Sequence, residues 1–562
     1  MSSTAAASGT LPAGDNQAHQ TQTHEIPAMA GSAVRRRFAQ FGPQYRWMLL
    51  GAMLTGSLAT MLAATTINVA LPAIIGAFGL GQDQAQWMST AFLASSTIAM
   101  LANAWAMHTY GPRATYVAGM CLFIVGSFLG AVSTSLEMLI LSRALQGISA
   151  GLLQPMSMFL IFQTFPDNQR GTAMGIFSIG VVLAPAFGPA LGGIAVDLAS
   201  WRLVFVATLP LAFVALSVAP FLMPSGEDPN VRTRPPLDWQ GLGLLTLAVV
   251  SLLSAFAGAN RDGWDSDITY LKFAIGLICG VSFVLWELRH PFPALNPAIF
   301  TYRQFWSAGL IISATGIAIY SSTYLIPLFV QMVQHYSPTA AGVMMIPAGL
   351  AMVVGFPIAG RLTDRMDARY LLGFGILCFA AAAYLLAGVT ALTPYWVLVG
   401  WIFLSRVGIS FCMPPANTTA VRASPPHLLA SATGGVSFLM QVGGAFGVNL
   451  LAILLQRRLI FHGEHLSAAM NEGNPEMLYQ HALFAQELER SGMATLPAFQ
   501  NAFGVIARQV SAEAQVLAFR DCFHVVAIWF VLVFFALFLM PKPKLQGPAP
   551  PVARMAVNPE AA

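Results

Sequence analysis

The sequence predicts an all-α integral membrane protein, two six-helix bundles with a two-helix insert between them, and three observations carry that prediction. Composition comes first. Of 562 residues, 56% are hydrophobic and 9% charged, whereas a soluble domain is about a quarter charged. A water-soluble fold would lack the polar side chains to cover its surface, so the chain belongs in a bilayer. Spacing comes second. Apolar runs of about 20 residues, each enough to cross a hydrocarbon core near 30 Å, recur at 46–72, 85–107, 114–134, 138–162, 172–195, 203–223, 239–259, 269–287, 306–333, 339–359, 370–391, 396–418, 429–455 and 518–540. That makes fourteen transmembrane helices. The third observation is an internal repeat. "NVALP" ends at Pro72 and "TYLIP" at Pro327, an offset of 255. "AWAMHTYGPR" (104–113) and "GRLTDRMDAR" (360–369) are offset by 256, and Arg143 and Arg406, in "LSRALQGISAGLLQP" and "LSRVGISFCMP", by 263. Three features in order at nearly constant offset make spans one to six and nine to fourteen related halves.

Each segment follows from that frame. Residues 1–45, rich in Ala, Ser, Thr and Gln over most of their length, read as a disordered tail with no apolar signal core. "RRR" at 35–37 precedes the first span and places the N-terminus in the cytoplasm by the positive-inside rule. The first bundle occupies 46–223, the insert and its linkers 224–304, the second bundle 305–540, and a second cytoplasmic tail 541–562. Arg113, Arg170, Arg232, Arg234, Arg289, Arg303, Arg361, Arg365, Arg369, Arg422, Lys542 and Lys544 all fall on the cytoplasmic side of this layout. The exception is the long external loop 457–517, with Arg457, Arg458, Arg490 and Arg508; loops of that length escape the charge rule. Its apolar residues near helical spacing predict one or two amphipathic helices over the outer face. The five cysteines lie in or beside apolar runs without metal-ligand spacing, and a net charge of +4 without a basic stripe gives no sign of nucleic acid.

Polar and small residues inside these spans are the candidate machinery. Arg143 lies about six residues, roughly 9 Å of rise, into the fourth span. A mid-helix arginine costs about 2.5–3.5 kcal/mol to insert, so it needs a cavity or a polar partner; Gln146, one turn away, can share its hydrogen bonds. Arg406 invites the same argument in the twelfth span. Gly180, Ala184, Gly188 and Gly192 form a stripe of small residues on the fifth span, with Pro185 and Pro189 beside it. Such a stripe admits a second backbone closely, and the prolines favour a bend. In "GRLTDRMDAR", Asp364 can reach helix N-termini or Arg365 and Arg369, a cluster suited to latching one closed state and releasing it. Acids are scarce within the spans: Asp521 and Glu287, both near span ends, are the best candidates for a proton, and His108 can change charge near neutral pH.

Together these segments resemble the major facilitator superfamily, and the fourteen-helix layout resembles its EmrB-type drug:proton antiporters. The resemblance runs from about residue 45 to 545. "LSRALQGISAGLLQP" is similar to the family's fourth-helix motif, with Arg143, Gln146 and Gly147 in place. "APAFGPALGG" is similar to its fifth-helix antiporter motif, with Gly188, Pro189, Gly192 and Gly193 matched. "GRLTDRMDAR", carrying Gly360, Asp364, Arg365 and Arg369, resembles the cytoplasmic loop motif. "TTINVALP", with Thr66, Asn68 and Pro72, resembles the first-helix signature, and "AFRDCF", with Asp521, a segment entering the last span. Two departures stand out. The acid usual five residues before Asn68 is Ala63 here, and the first copy of the loop motif has Ala104 for its glycine and His108 for its acid.

The resemblance implies export of small amphipathic compounds across the inner membrane by proton antiport, with H+ as coupling ion and no other cofactor. It also implies a periplasmic membrane-fusion adaptor and an outer-membrane channel, for which 457–517 is a docking surface or else a cap on the bundle. Ala63 keeps a second reading open, a proton-independent facilitator or exchanger of the same fold. The 26 Met and 38 Phe suit a deformable apolar pocket and suit lipid-facing helices equally well. The chain carries no GxxxxGK[ST] or HExxH pattern, which argues against ATP drive and against an enzyme; a non-transporting sensor is the remaining alternative.

Overall fold

The computed structural model describes residues 32–80, 82–198, 200–225, 236–336, 338–469 and 475–541, and every regular element among them is a helix. The first half comprises α1 (Tyr45–Phe78), α2 (Gln82–Ala131), α3 (Leu136–Thr164), α4 (Arg170–Leu198) and α5 (Leu209–Leu222). The insert is α6 (Trp239–Asp262) and α7 (Asp267–Glu287). The second half comprises α8 (Arg303–Met332), α9 (Ile346–Thr363), α10 (Ala368–Ala387), α11 (Tyr395–Arg422), α12 (Leu429–Ala469), α13 (Pro475–Arg490) and α14 (Thr495–Leu539). Caps fix several boundaries. Ser135 accepts the Met138 N–H at 3.3 Å to start α3, and Asp367 accepts the Arg369 N–H at 3.0 Å to start α10. Gly79, at φ 63°, ends α1 in a left-handed cap.

Twelve helical stretches among the described residues are long and apolar enough to cross a membrane, against the fourteen expected from the sequence. One of them lies in α2, whose 50 residues are broken at Gly111 (φ 81°, ψ 162°). Only glycine holds that backbone conformation without strain. The 29-residue α4 is not one of the twelve.

Two expectations need correcting. Ser32–Phe41, placed by composition in a disordered tail, is a helix with Val34 and Phe38 buried. The segment 457–517 is not a separate external loop. Its described residues form mainly α13 and the continuations of α12 and α14, helices of 41 and 45 residues. At 1.5 Å per residue these run about 60–70 Å, twice a hydrocarbon core, because neither meets a glycine or proline stop where its apolar run ends. Arg232, Arg234, Lys542 and Lys544, and the side chains of Asn68, Pro72, Pro185 and Pro189, lie outside the described residues.

Hydrogen bonds show which helix ends share a face. On one face Arg113 donates to Met223 O at 3.1 Å, Arg303 to Leu539 O at 3.0 Å, and Arg422 to Asp167 O. On the opposite face Arg202 donates to Ser133 O and Arg520 to Ala387 O, each at 3.0 Å. The first is called the basic face below. The larger core cluster spans both halves, from Tyr45 through Phe162 and Phe356 to Phe530, and a smaller one lies around Ile67, Trp201 and Phe205. The halves meet where α4 packs on α9 and where α2 packs on α12.

Candidate functional site

The fourth-helix motif builds a buried polar knot. Arg143, 1% exposed, donates from Nη1 to Gln146 Oε1 at 2.8 Å and to Ala63 O at 3.0 Å. Its Nε reaches Met88 O at 3.4 Å, and its guanidinium lies 4.5 Å from the centre of the Phe92 ring. Gln146 passes the network on to Ser127 Oγ at 2.9 Å. Carbonyls and an aromatic face therefore satisfy the charge, and no carboxylate among the described residues pairs with it. Gly147 lets α3 come close enough, since a Cβ there would collide with the Phe92 carbonyl and Ser95. Arg406, 7% exposed on α11, differs from its repeat counterpart: its guanidinium makes no hydrogen bond to a described residue.

The loop motif forms a latch between the halves. Asp364 follows α9, and its carboxylate accepts the first N–H groups of α4, Gly171 and Thr172, at 2.8 Å each, together with the Thr172 hydroxyl at 3.0 Å. An anion at a helix N-terminus meets both the unpaired N–H groups and the positive end of the helix dipole. Arg422 Nη2 adds an ion pair at 3.0 Å. Close approach depends on glycines: a Cβ on Gly171 would lie 2.5 Å from Gly360 O, and one on Gly360 would strike Gly171 O. Of the motif, Gly360 and Asp364 reach this interface. Arg369 does not, since it donates to Met540 O, and Arg365 makes no ion pair with Asp364.

The small-residue stripe packs α4 onto α1 within the first half, and does not join the halves. A Cβ on Gly180 would lie 2.7 Å from Leu54, one on Gly192 2.7 Å from Thr66 O, and one on Gly188 would strike Thr65. Thr65 Oγ1 ties the pair by donating to Ala184 O at 3.0 Å. Thr66 is buried with its hydroxyl unpartnered, and Gly193 is half-buried.

The two acids fall elsewhere. Asp521 accepts from His462 Nε2 at 2.8 Å and pairs with Arg458 at 3.4 Å, on the face opposite the latch and between α12 and α14 of the same half. Glu287 ends α7 in the insert. Neither is brought to Arg143. His108 is exposed. Sequence reasoning missed Gly171 and Thr172 as the donors that hold the latch. It also missed a polar chain across the halves, in which Tyr320 Oη donates to Gln441 Oε1 at 2.8 Å and Gln441 Nε2 to Ser96 Oγ at 3.3 Å. An isolated amide in the apolar run of α12 was the available signal for Gln441.

Two helical halves meet at this latch on one face, and residues 53–448 match the family model of the Major Facilitator Superfamily. The chain belongs to that superfamily. It is a membrane transporter and not an enzyme. Among relatives, the multidrug export protein EmrB of Haemophilus influenzae is 29% identical over 88% of this chain and 96% of its own length. EmrB of Escherichia coli K12 is 28% identical over 86% and 94%. Among solved structures, the human organic anion transporter MFSD10 aligns with a TM-score of 0.57 at 15% identity, over 88% of this chain and 99% of its own. The proton:xylose symporter XylE aligns at 0.55 and 14%, over 89% and 97%. At those identities the structural likeness speaks to the major facilitator fold alone.

Proposed function

We propose that this superfamily member exports amphipathic compounds across the inner membrane by proton antiport, through alternating access. The observation that carries the reading is the Asp364 latch: a carboxylate of one half caps a helix of the other, a contact that must break for the basic face to open. The relatives named as multidrug export proteins, at 28–29% identity over most of both chains, support export and amphipathic substrates. We count fourteen crossings, taking α2 as two spans parted at Gly111 and α4 as one more, with the basic face and both termini in the cytoplasm. In this reading Arg143, Gln146 and Gly147 shape the cavity wall and Arg406 faces substrate. Thr66 lines the first-helix side, and Gly188 and Gly192 hold α4 against α1. Leu478, Tyr479 and Leu483 on α13 are exposed and suit a periplasmic membrane-fusion adaptor, leading to an outer-membrane channel.

The test is efflux from proteoliposomes. Uphill export that collapses when the proton gradient is discharged supports antiport. Export indifferent to the gradient favours the second reading, a facilitator or exchanger. One observation speaks for that alternative: Arg143 binds the Ala63 carbonyl where the family's acid would stand.

A further inference from the structure

A second buried polar cluster lies in the insert, outside both halves. Asp238 caps α6 by accepting the Gly241 N–H at 2.8 Å, and it accepts the Trp286 indole N–H at 2.9 Å. Glu287, 4% exposed, accepts the Leu295 N–H on Oε2 at 3.2 Å. Its Oε1 is buried and has no hydrogen-bond partner. Both carboxylates reach one spot, since a Cβ added to Gly241 would strike Asp238 Oδ2 and lie 2.9 Å from Glu287 Oε1. The facing groups are few. From the segment after α7, His290 Nδ1 stands 3.9 Å from Asp238 Oδ2, and Arg289 is exposed. From α2, Tyr110 lines the same groove as Trp239. Contacts of α12 with the insert include Phe446 against Phe256 and Arg457 over Trp264, the latter beside the α6–α7 turn at the far end. Among the described residues no lysine or arginine pairs with either acid.

Two buried carboxylates at one spot, with an oxygen lacking any donor, are costly when both are charged. A proton on Glu287 Oε1 removes one of the two charges and makes that oxygen a donor on the side where Asp238 lies. The pair is wired to the contact between the halves. Leu295, whose N–H Glu287 holds, packs with Ile299 against Gly435 of α12: a Cβ there would lie 3.3 and 3.0 Å from their δ-carbons. The adjacent Gly434 faces Met100 O of α2 across the interface, 3.0 Å from where its Cβ would lie.

We propose that Asp238 and Glu287 form the proton-binding pair of the antiport, a role that rests on the antiport reading above. With Glu287 protonated, the pair holds residues 288–302 against α12. With none, repulsion turns Glu287 away, the Leu295 N–H is freed, and the α2–α12 contact loosens. His290, partly exposed, connects the pair with water.

Infrared pH-difference spectroscopy on the full chain in lipid nanodiscs tests the pair directly. The expected result is a protonated-carboxyl band that disappears as pH rises. It should be missing in Glu287→Gln and lost at a shifted pH in Asp238→Asn. Hydrogen exchange of the peptide holding Leu295 should speed up as the band disappears, and should lose that pH step in Glu287→Gln. A wild-type protein without the band, or a band that survives Glu287→Gln, overturns the pair even if a variant folds poorly. Proteoliposome flux separates this proposal from the reading it rests on. Wild-type efflux indifferent to the proton gradient overturns antiport and this role with it. Proton-driven wild-type efflux that stays proton-driven in Glu287→Gln overturns the pair alone, and loss of the drive in that variant supports it.

Discussion

Replacing Asp364 with Asn should open the basic face without unfolding the protein. The amide keeps the shape and one acceptor oxygen, but it turns a donor toward a backbone N–H of α4 and removes the charge facing the helix dipole. A hydrogen bond to a charged group contributes about 1.5–3 kcal/mol, and the dipole about 0.3–1 kcal/mol. The Arg422 pair adds under about 1 kcal/mol, because that side chain is 34% exposed. Losing one such bond and most of the dipole interaction comes to about 2–3 kcal/mol, or about 30- to 140-fold in the closed-to-open ratio at 1.4 kcal/mol per decade. The assay is pulsed electron resonance between spin labels on cysteines replacing Asn168 and Met366, both exposed on the basic face. The native latch should give a short distance, and Asp364→Asn a second, longer population. Arg422→Gln should open the face far less. Identical distance distributions for Asp364→Asn and the native protein would refute the capping argument, as would equal opening by Arg422→Gln.

Three further outcomes follow from the same contacts. Arg143→Ala should abolish efflux while membrane insertion and melting temperature hold, because removing a buried charge offsets the stranded Gln146 and Ala63 acceptors; normal efflux would remove Arg143 from the mechanism. Gly188→Leu should push α4 off Thr65 of α1 and stop transport, measured as efflux at matched expression; unchanged activity would leave the stripe a tolerant packing seam. Gly111→Ala should cost about 1–3 kcal/mol, since φ 81° and ψ 162° are open to glycine alone, and a melting temperature equal to that of the native protein would count against a fixed turn there.

The local parts of this carrier were legible in its sequence, and the joints between them were not. Apolar periodicity located the helices because a bilayer demands it of every span. It misplaced the C-terminal end of α12 and the N-terminal end of α14, since their polar continuations stay helical beyond the apolar run. Asp364 announced itself by charge in a short turn, yet its partners Gly171 and Thr172 lie 193 and 192 residues away and hold it mainly through backbone N–H groups, which no side-chain pattern records. Ala63 looked like a loss, an acid missing from its motif. In the fold its carbonyl serves Arg143, so the acid can be absent without leaving the guanidinium bare. That substitution also removes the place where a proton would be expected. Antiport then needs a titrating group elsewhere, and Asp521, on the face opposite the latch, touches no contact between the halves. The insert is where two acids share a spot and also connect to α12, which makes residues 224–304 more than a spacer.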